Sequence, residues 1–226
     1  MTTRRHIPLR RTRSHGLGLL EILVGASLSL MVLASVYSFQ LAQARSFATE
    51  NTYNESQNVT RSALDLMARE LRMASYDPSG LALATSLPPN CPGVKEGLTE
   101  AFTDKIHFLQ DLNGDGVLTG AAENVTYDVS STDLRRTDGI GTPVTLVSNV
   151  PAGGFQLRYF DGSNPPIEIL PVGNPPQLTL AQLPCVSKVR MTVRANLTNP
   201  NPKITAPVAS AAETEIAIRN RSLGNF

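Results

Sequence analysis

Residues 17–36, LGLLEILVGASLSLMVLASV, form an apolar run of 20 residues broken by a single charge, Glu21. At about 1.5 Å per residue, a helix of this length spans the roughly 30 Å hydrocarbon layer of a bilayer. A helix that is apolar on all sides must be surrounded by lipid or by other helices. The carboxylate sharpens that requirement, because a charge in a lipid-embedded helix costs about 2.5–3.5 kcal/mol even on the mildest insertion scale. A second copy of the same helix, or of a relative, is the expected source of the offset. The stretch therefore reads as an assembly device as well as a span.

The flanks set its direction. Arg4, Arg5, Arg10, Arg11 and Arg13 all precede the run, and no acidic residue joins them. That asymmetry keeps a segment cytoplasmic, so residues 1–16 are expected inside and everything beyond the span in the periplasm or outside. Over the whole chain the formal net charge is only +1, which gives no electrostatic case for a direct nucleic-acid partner. Cys91 and Cys185 then lie in an oxidising compartment, where an even pair is expected to form a structural disulfide. On the chain-entropy model, closing so long a loop contributes about 4–5 kcal/mol.

A cleaved secretory signal is the competing reading of the same region. It would use the basic start, the apolar run and the Ala42-Gln43-Ala44 triplet, with cleavage after Ala44. The apolar part of such a signal is normally about 7–15 residues, shorter than this run, and a charge in its first third is foreign to it. Arg10-Arg11 is followed by Thr12-Arg13-Ser14, which lacks the apolar residues of a twin-arginine signal.

The junction His15-Gly16-Leu17-Gly18-Leu19-Leu20-Glu21 resembles the type IV pilins and pseudopilins. Their class III leader ends in glycine, a prepilin peptidase cuts after it, and glutamate stands fifth in the mature chain. The resemblance places the cut between Gly16 and Leu17, N-methylation on Leu17, and the assembly carboxylate at Glu21. Leu17 replaces the commoner phenylalanine and Gly18 the commoner threonine.

From Tyr37 to Ser75 there is no proline, and Val59, Ala63, Met67, Leu71 and Ala74 recur at three-to-four spacing, widened by Leu64, Leu66 and Met73. This is an amphipathic pattern. Arg61, Asp65 and Arg69 fall at i,i+4 steps along a flank, where each pair adds a few tenths of a kcal/mol. One helix is therefore expected over 17–75, with a transmembrane and assembly half at 17–37 and an amphipathic half at 38–75. Pro78 and Gly80 end it. Its last turns, Arg69-Glu70-Leu71-Arg72-Met73-Ala74-Ser75-Tyr76, resemble the close of the helix in PilW-type minor pilins. Ser75 stands there where glycine is usual.

Beyond Pro78, Pro and Gly clusters punctuate short alternating runs. Strands are expected at 105–110, 124–129, 144–147, 155–160, 167–170, 186–195 and 213–219. Val189, Met191 and Val193 alternate with Lys188, Arg190, Thr192 and Arg194, the signature of a half-buried strand. The economical architecture is α+β: a β-rich head over 76–226 whose antiparallel sheet packs on the second half of the helix. The resemblance implies the same pilin fold.

Asp111-Leu112-Asn113-Gly114-Asp115-Gly116 copies the opening of an EF-hand loop. Position 12 is Ala122, and the nearest carboxylate, Glu123, comes one residue late. A calcium ion would draw on Asp111, Asn113, Asp115, the Val117 carbonyl and Glu123. The same residues also favour a bare Asn-Gly or Asp-Gly turn between two strands, and composition favours the turn. His107 stands alone, and neither a nucleophile elbow nor a phosphate loop is present, so no enzyme and no other cofactor is expected. Arg219-Asn220-Arg221 resembles a strand end common to PilW-type pilins and pseudopilin J.

The expectation is a minor pilin with the leader peptidase, the inner-membrane assembly platform, other major and minor pilins and the lipid bilayer as partners. It would be an inner-membrane single-pass protein first and a pilus subunit afterwards. The alternatives are a J-like minor pseudopilin of a type II secretion system and a membrane-anchored binding module.

Overall fold

The computed structural model describes residues 18–83, 91 and 96–219. Helix α1 runs Leu19–Met73, two residues inside each expected end. At its start the amides of Glu21 and Ile22 donate to the Gly18 carbonyl at 2.9 and 3.3 Å. At its finish Tyr76 N donates to Met73 O at 2.9 Å, and Ser75 takes the left-handed φ of 67°. Such a residue commonly closes a helix and is usually glycine, because only glycine avoids the Cβ penalty.

The chain divides into two compact units between Phe47 and Ala48, beyond the boundary expected at 37/38. The sequence boundary marks where the apolar coat ends. The structural one marks where α1 meets the head: Ala48 and Thr49 are half-buried, and the Thr49 hydroxyl reaches Asn199 Oδ1 at 3.3 Å.

Within the second unit, α1 buries Ser56, Thr60, Ala63, Leu64, Met67, Ala68 and Leu71. Val59 and Leu66, expected on that stripe, are exposed, so the buried face is drawn instead through two hydroxyl residues. Thr60 Oγ1 donates to the Ser56 carbonyl at 2.7 Å, and the Ser56 and Ser210 hydroxyls meet at 2.5 Å. Hydroxyls that satisfy one another can be buried at little cost. Arg61, Asp65 and Arg69 are exposed, as a solvated flank should be.

Strands β1 (Leu98–Ala101), β2 (Lys105–Leu109), β3 (Asn124–Ser130), β4 (Asp133–Asp138) and β5 (Val144–Val147) form one antiparallel sheet in chain order. Strands β6 (Phe155–Phe160), β7 (Glu168–Ile169), β8 (Lys188–Leu197) and β9 (Val208–Ala217) form a second, antiparallel, in the order β7-β6-β8-β9. The head thus holds two sheets where one was expected. The break falls after β5, where Asn149 and Gly153 take φ of 58° and 68° around Pro151, which has no amide to continue a ladder.

One core unites these layers. Met67 and Leu71 from α1 meet Ile106, Phe108, Val125, Tyr127 and Leu134 from the first sheet, and Phe155, Leu157, Tyr159, Val189, Met191 and Val193 from the second. The end of α1 is also sewn to the first sheet through its backbone. Ser75 N donates to Leu109 O at 3.0 Å, Leu109 N to Gly97 O at 2.6 Å, and Asp111 N to Tyr76 O at 2.7 Å. A Cβ at Gly97 would run into the Ser75 backbone, so that position has to be glycine. Cys91 and Cys185 are joined, with Cα atoms 5.4 Å apart across 94 residues of sequence.

Candidate functional site

The processing residues Gly16 and Leu17 lie outside the described residues, as do Asn220 and Arg221. Glu21 occupies the first turn of α1, where a carboxylate is favoured by the unpaired amides of a helix start. Around and after it, Leu19, Leu20, Ile22, Leu23, Val24, Leu28, Leu30, Met31, Val32 and Leu33 are all at least half exposed. The apolar window of this helix is long enough to cross a membrane, and none of it is buried within the chain.

The polar atoms of that window are dealt with internally. The hydroxyls of Ser27, Ser29, Ser35 and Ser38 donate to the carbonyls of Val24, Gly25, Met31 and Ser35 at 2.8–2.9 Å. A hydroxyl bonded to its own helix needs no water, which lets the helix enter an apolar medium. Glu21 is then the side chain in this stretch whose charge calls for an outside partner. Sequence reasoning found Glu21 but passed over the serines, although their i−3 and i−4 spacing to a carbonyl is fixed in any helix.

The second candidate, the Asp111 loop, joins β2 to β3 across 110–123 and is longer than the tight turn its Asn-Gly and Asp-Gly pairs suggested. Asp111 and Glu123 are buried, and the loop's own amides take up their oxygens. Asp111 accepts from Gly114 N at 2.7 Å and Gly116 N at 3.1 Å. Glu123 accepts from Leu112, Asn113 and Gly120 at 3.1, 3.3 and 2.6 Å. Ser79 Oγ donates to both Asp77 (3.0 Å) and Asp111 (3.2 Å), clasping the segment after α1 to the loop.

Asn113 and Asp115 are exposed and bond to each other at 2.8 Å, and Val117 is exposed as well. Among the described residues no three carboxylates, imidazoles or thiols gather as a metal site. The two buried carboxylates thus cap the loop's own amides.

His107, alone in the sequence, is pinned between Thr99 Oγ1 (2.7 Å) and Asn124 Oδ1 (2.8 Å). A further group went unforeseen, the clamp at the end of α1. Tyr127 donates its hydroxyl to Glu70 at 2.5 Å, and Arg136 Nε lies 3.1 Å from both Glu70 oxygens. Burial, then the Glu70 carboxylate, push the Tyr127 hydroxyl far above its ordinary range, with Arg136 pulling weakly the other way. The signal was there in part, since Glu70 is an acid on the apolar side of an amphipathic helix.

Compared with known proteins, the chain matches no family model and no curated protein.

Proposed function

We propose that this chain is a minor pilin of the PilW type. In this reading it is cut between Gly16 and Leu17, held in the inner membrane by residues 17–37 with its head in the periplasm, and then taken into a type IV pilus. One observation carries the reading. The chain joins a self-contained head to a helix half that exposes apolar side chains all round, with a lone carboxylate in its first turn. Such a helix is satisfied first by lipid and then by neighbouring helices.

Within the fibre, Glu21 pairs with the methylated N-terminal amine on Leu17 of a neighbour. The pair sets axial register, because a subunit one step out of place leaves a buried charge unpaired. Other pilins, major and minor, the prepilin peptidase and the membrane assembly platform are its partners. The left-handed φ at Ser75 supports the likeness at the helix end, since it is the conformation that makes glycine the usual residue there.

The test is Glu21→Ala in a strain carrying that copy alone. Insertion and cleavage should proceed while piliation falls sharply. Intact mass and N-terminal sequencing of the membrane-extracted protein should give a start at methylated Leu17. A start at Arg45, or normal piliation by the variant, would defeat the reading.

A further inference from the structure

The chain contains a single Asn-Gly pair, Asn113-Gly114, and it lies in the loop between β2 and β3. Both residues are exposed. Asparagine before glycine is the pairing most open to loss of its side-chain amide, because no Cβ on the second residue screens the backbone nitrogen from the carboxamide carbon. The folded loop opposes each part of that reaction. Gly114 N, the nucleophile, donates to Asp111 Oδ1 at 2.7 Å. A proton held against a carboxylate is harder to remove, since its departure sets one anion beside another. Asp111 is wholly buried and is fixed by Gly116 N at 3.1 Å and Ser79 Oγ at 3.2 Å, so the acceptor stays in place. The leaving group is held as well. Asn113 Nδ2 donates to Asp115 Oδ2 at 2.8 Å, while Asn113 Oδ1 accepts from Asp115 N at 2.9 Å.

We propose that Asn113 is a site of spontaneous deamidation kept closed by the buried Asp111 carboxylate, so that the chain is modified there only when this loop opens. In the open loop Gly114 N gives its proton to solvent and attacks Asn113 Cγ. The N–Cγ bond forms, the Cγ–Nδ2 bond breaks, and Nδ2 leaves as ammonia with a proton taken from water. Water then opens the succinimide at one carbonyl or the other, giving aspartate or isoaspartate without any oxidant or reductant.

Neither product restores the loop. Aspartate puts an anion where Nδ2 had donated to Asp115, so two carboxylates face each other. Isoaspartate adds a methylene to the main chain at residue 113, between Asp111 and the two glycine amides that it binds. One opening therefore makes the next easier. Because Ser79 donates to both Asp77 and Asp111, the loosening reaches the segment that follows α1.

The test ages the full chain in nanodiscs in mildly alkaline buffer and reads the tryptic peptide 106–135 by mass spectrometry, with fragmentation placing the mass gain on Asn113. Asn124 lies in the same peptide and precedes Val125, whose branched side chain crowds ring closure, so it serves as the internal reference. Folded wild type should deamidate at Asn113 at least about ten-fold more slowly than the same chain unfolded in guanidinium chloride, the factor expected of one hydrogen bond to a charged group. Asp111→Ala should lose most of that protection while Asn124 stays unmodified. Amide exchange at Gly114 should be slow in wild type despite its exposure, a readout that holds even if Asp111→Ala folds poorly. Aged chains, separated by their added negative charge, should exchange the Gly116 amide faster than unaged ones. The proposal is overturned by equal deamidation of folded and unfolded wild type, by undiminished protection in a folded Asp111→Ala, by free exchange at Gly114, or by unchanged exchange at Gly116 after ageing.

Discussion

The two units of this chain treat the same side chains in opposite ways. Leu23, Leu28 and Leu33 in the first unit are 62%, 58% and 63% exposed, whereas Leu71 and Leu134 in the second are wholly buried. In the head, apolar atoms face each other across one core, and most buried polar side chains have hydrogen-bond partners. In the first helix half it is the serine hydroxyls that are satisfied, by bonds to carbonyls of the same helix. Stability is therefore an internal property of the head, while the free energy latent in the apolar half is realised only against lipid or other chains.

The comparison breaks first, and by the largest amount, at the disulfide. Cys185→Ser opens a loop closed across 94 residues, which should lower head stability by about 4–5 kcal/mol. Urea unfolding of the nanodisc-held chain should show the head transition moving while helix dichroism from the first unit persists. Simultaneous loss of both would mean that the two units do not differ in where their stability comes from.

The next contrast is within one residue type. Leu71→Ala empties a fully buried site and should cost the head about 2–5 kcal/mol. Leu33→Ala removes the same atoms from an exposed site and should leave head stability within about 0.5 kcal/mol. On the proposed function, the second variant should instead weaken membrane retention and assembly, measured by fractionation and piliation. Equal effects of both on head unfolding would sink the division.

The same division decides what could be read from the sequence. α1 was legible to within two residues at each end because its period persists over many turns, and 105–109, 144–147 and 155–160 stood out by alternation. β1 and β4 did not. Leu98-Thr99-Glu100-Ala101 is too short to show a period. Asp133–Asp138 buries only Leu134 and is otherwise held by charges, Arg135 on Asp128 of the preceding strand and Arg136 on Glu70, which lies far away in sequence. β9 begins five residues before the expected start at 213, in an Ala-Ser-rich stretch of low strand preference that pairing with β8 overrides. At the candidate site, Glu21 was visible because a charge in an apolar run is conspicuous. The Asp111 loop was not decided by its residues, because ligand spacing does not say whether a cation or the loop's own amides will occupy the oxygens.

The smallest expected effect concerns the clamp that closes α1 onto β3 and β4. Tyr127→Phe keeps the ring that stacks with Phe108, centroids 6.3 Å apart, and removes only the hydroxyl donated to Glu70. Glu70 keeps Arg136 at 2.9 Å, so the loss should be about 1.5 kcal/mol, near the lower end for a hydrogen bond to a charged group. The variant also carries a pH signature. Burial holds the hydroxyls of Tyr127 and Tyr159 protonated in the folded head above pH 10.0, their ordinary value. Beyond that pH the folded chain binds more protons than the unfolded one, so the contribution is full below about pH 10 and is lost as pH rises. Urea midpoints should therefore fall between pH 9.5 and 11 in wild type, roughly one unit about the ordinary tyrosine value, and fall less steeply in Tyr127→Phe, with Tyr159 supplying the slope that remains. An identical slope in the two proteins would mean that the Tyr127 hydroxyl ionises freely, and that α1 is held to the head by packing and the Glu70–Arg136 pair alone.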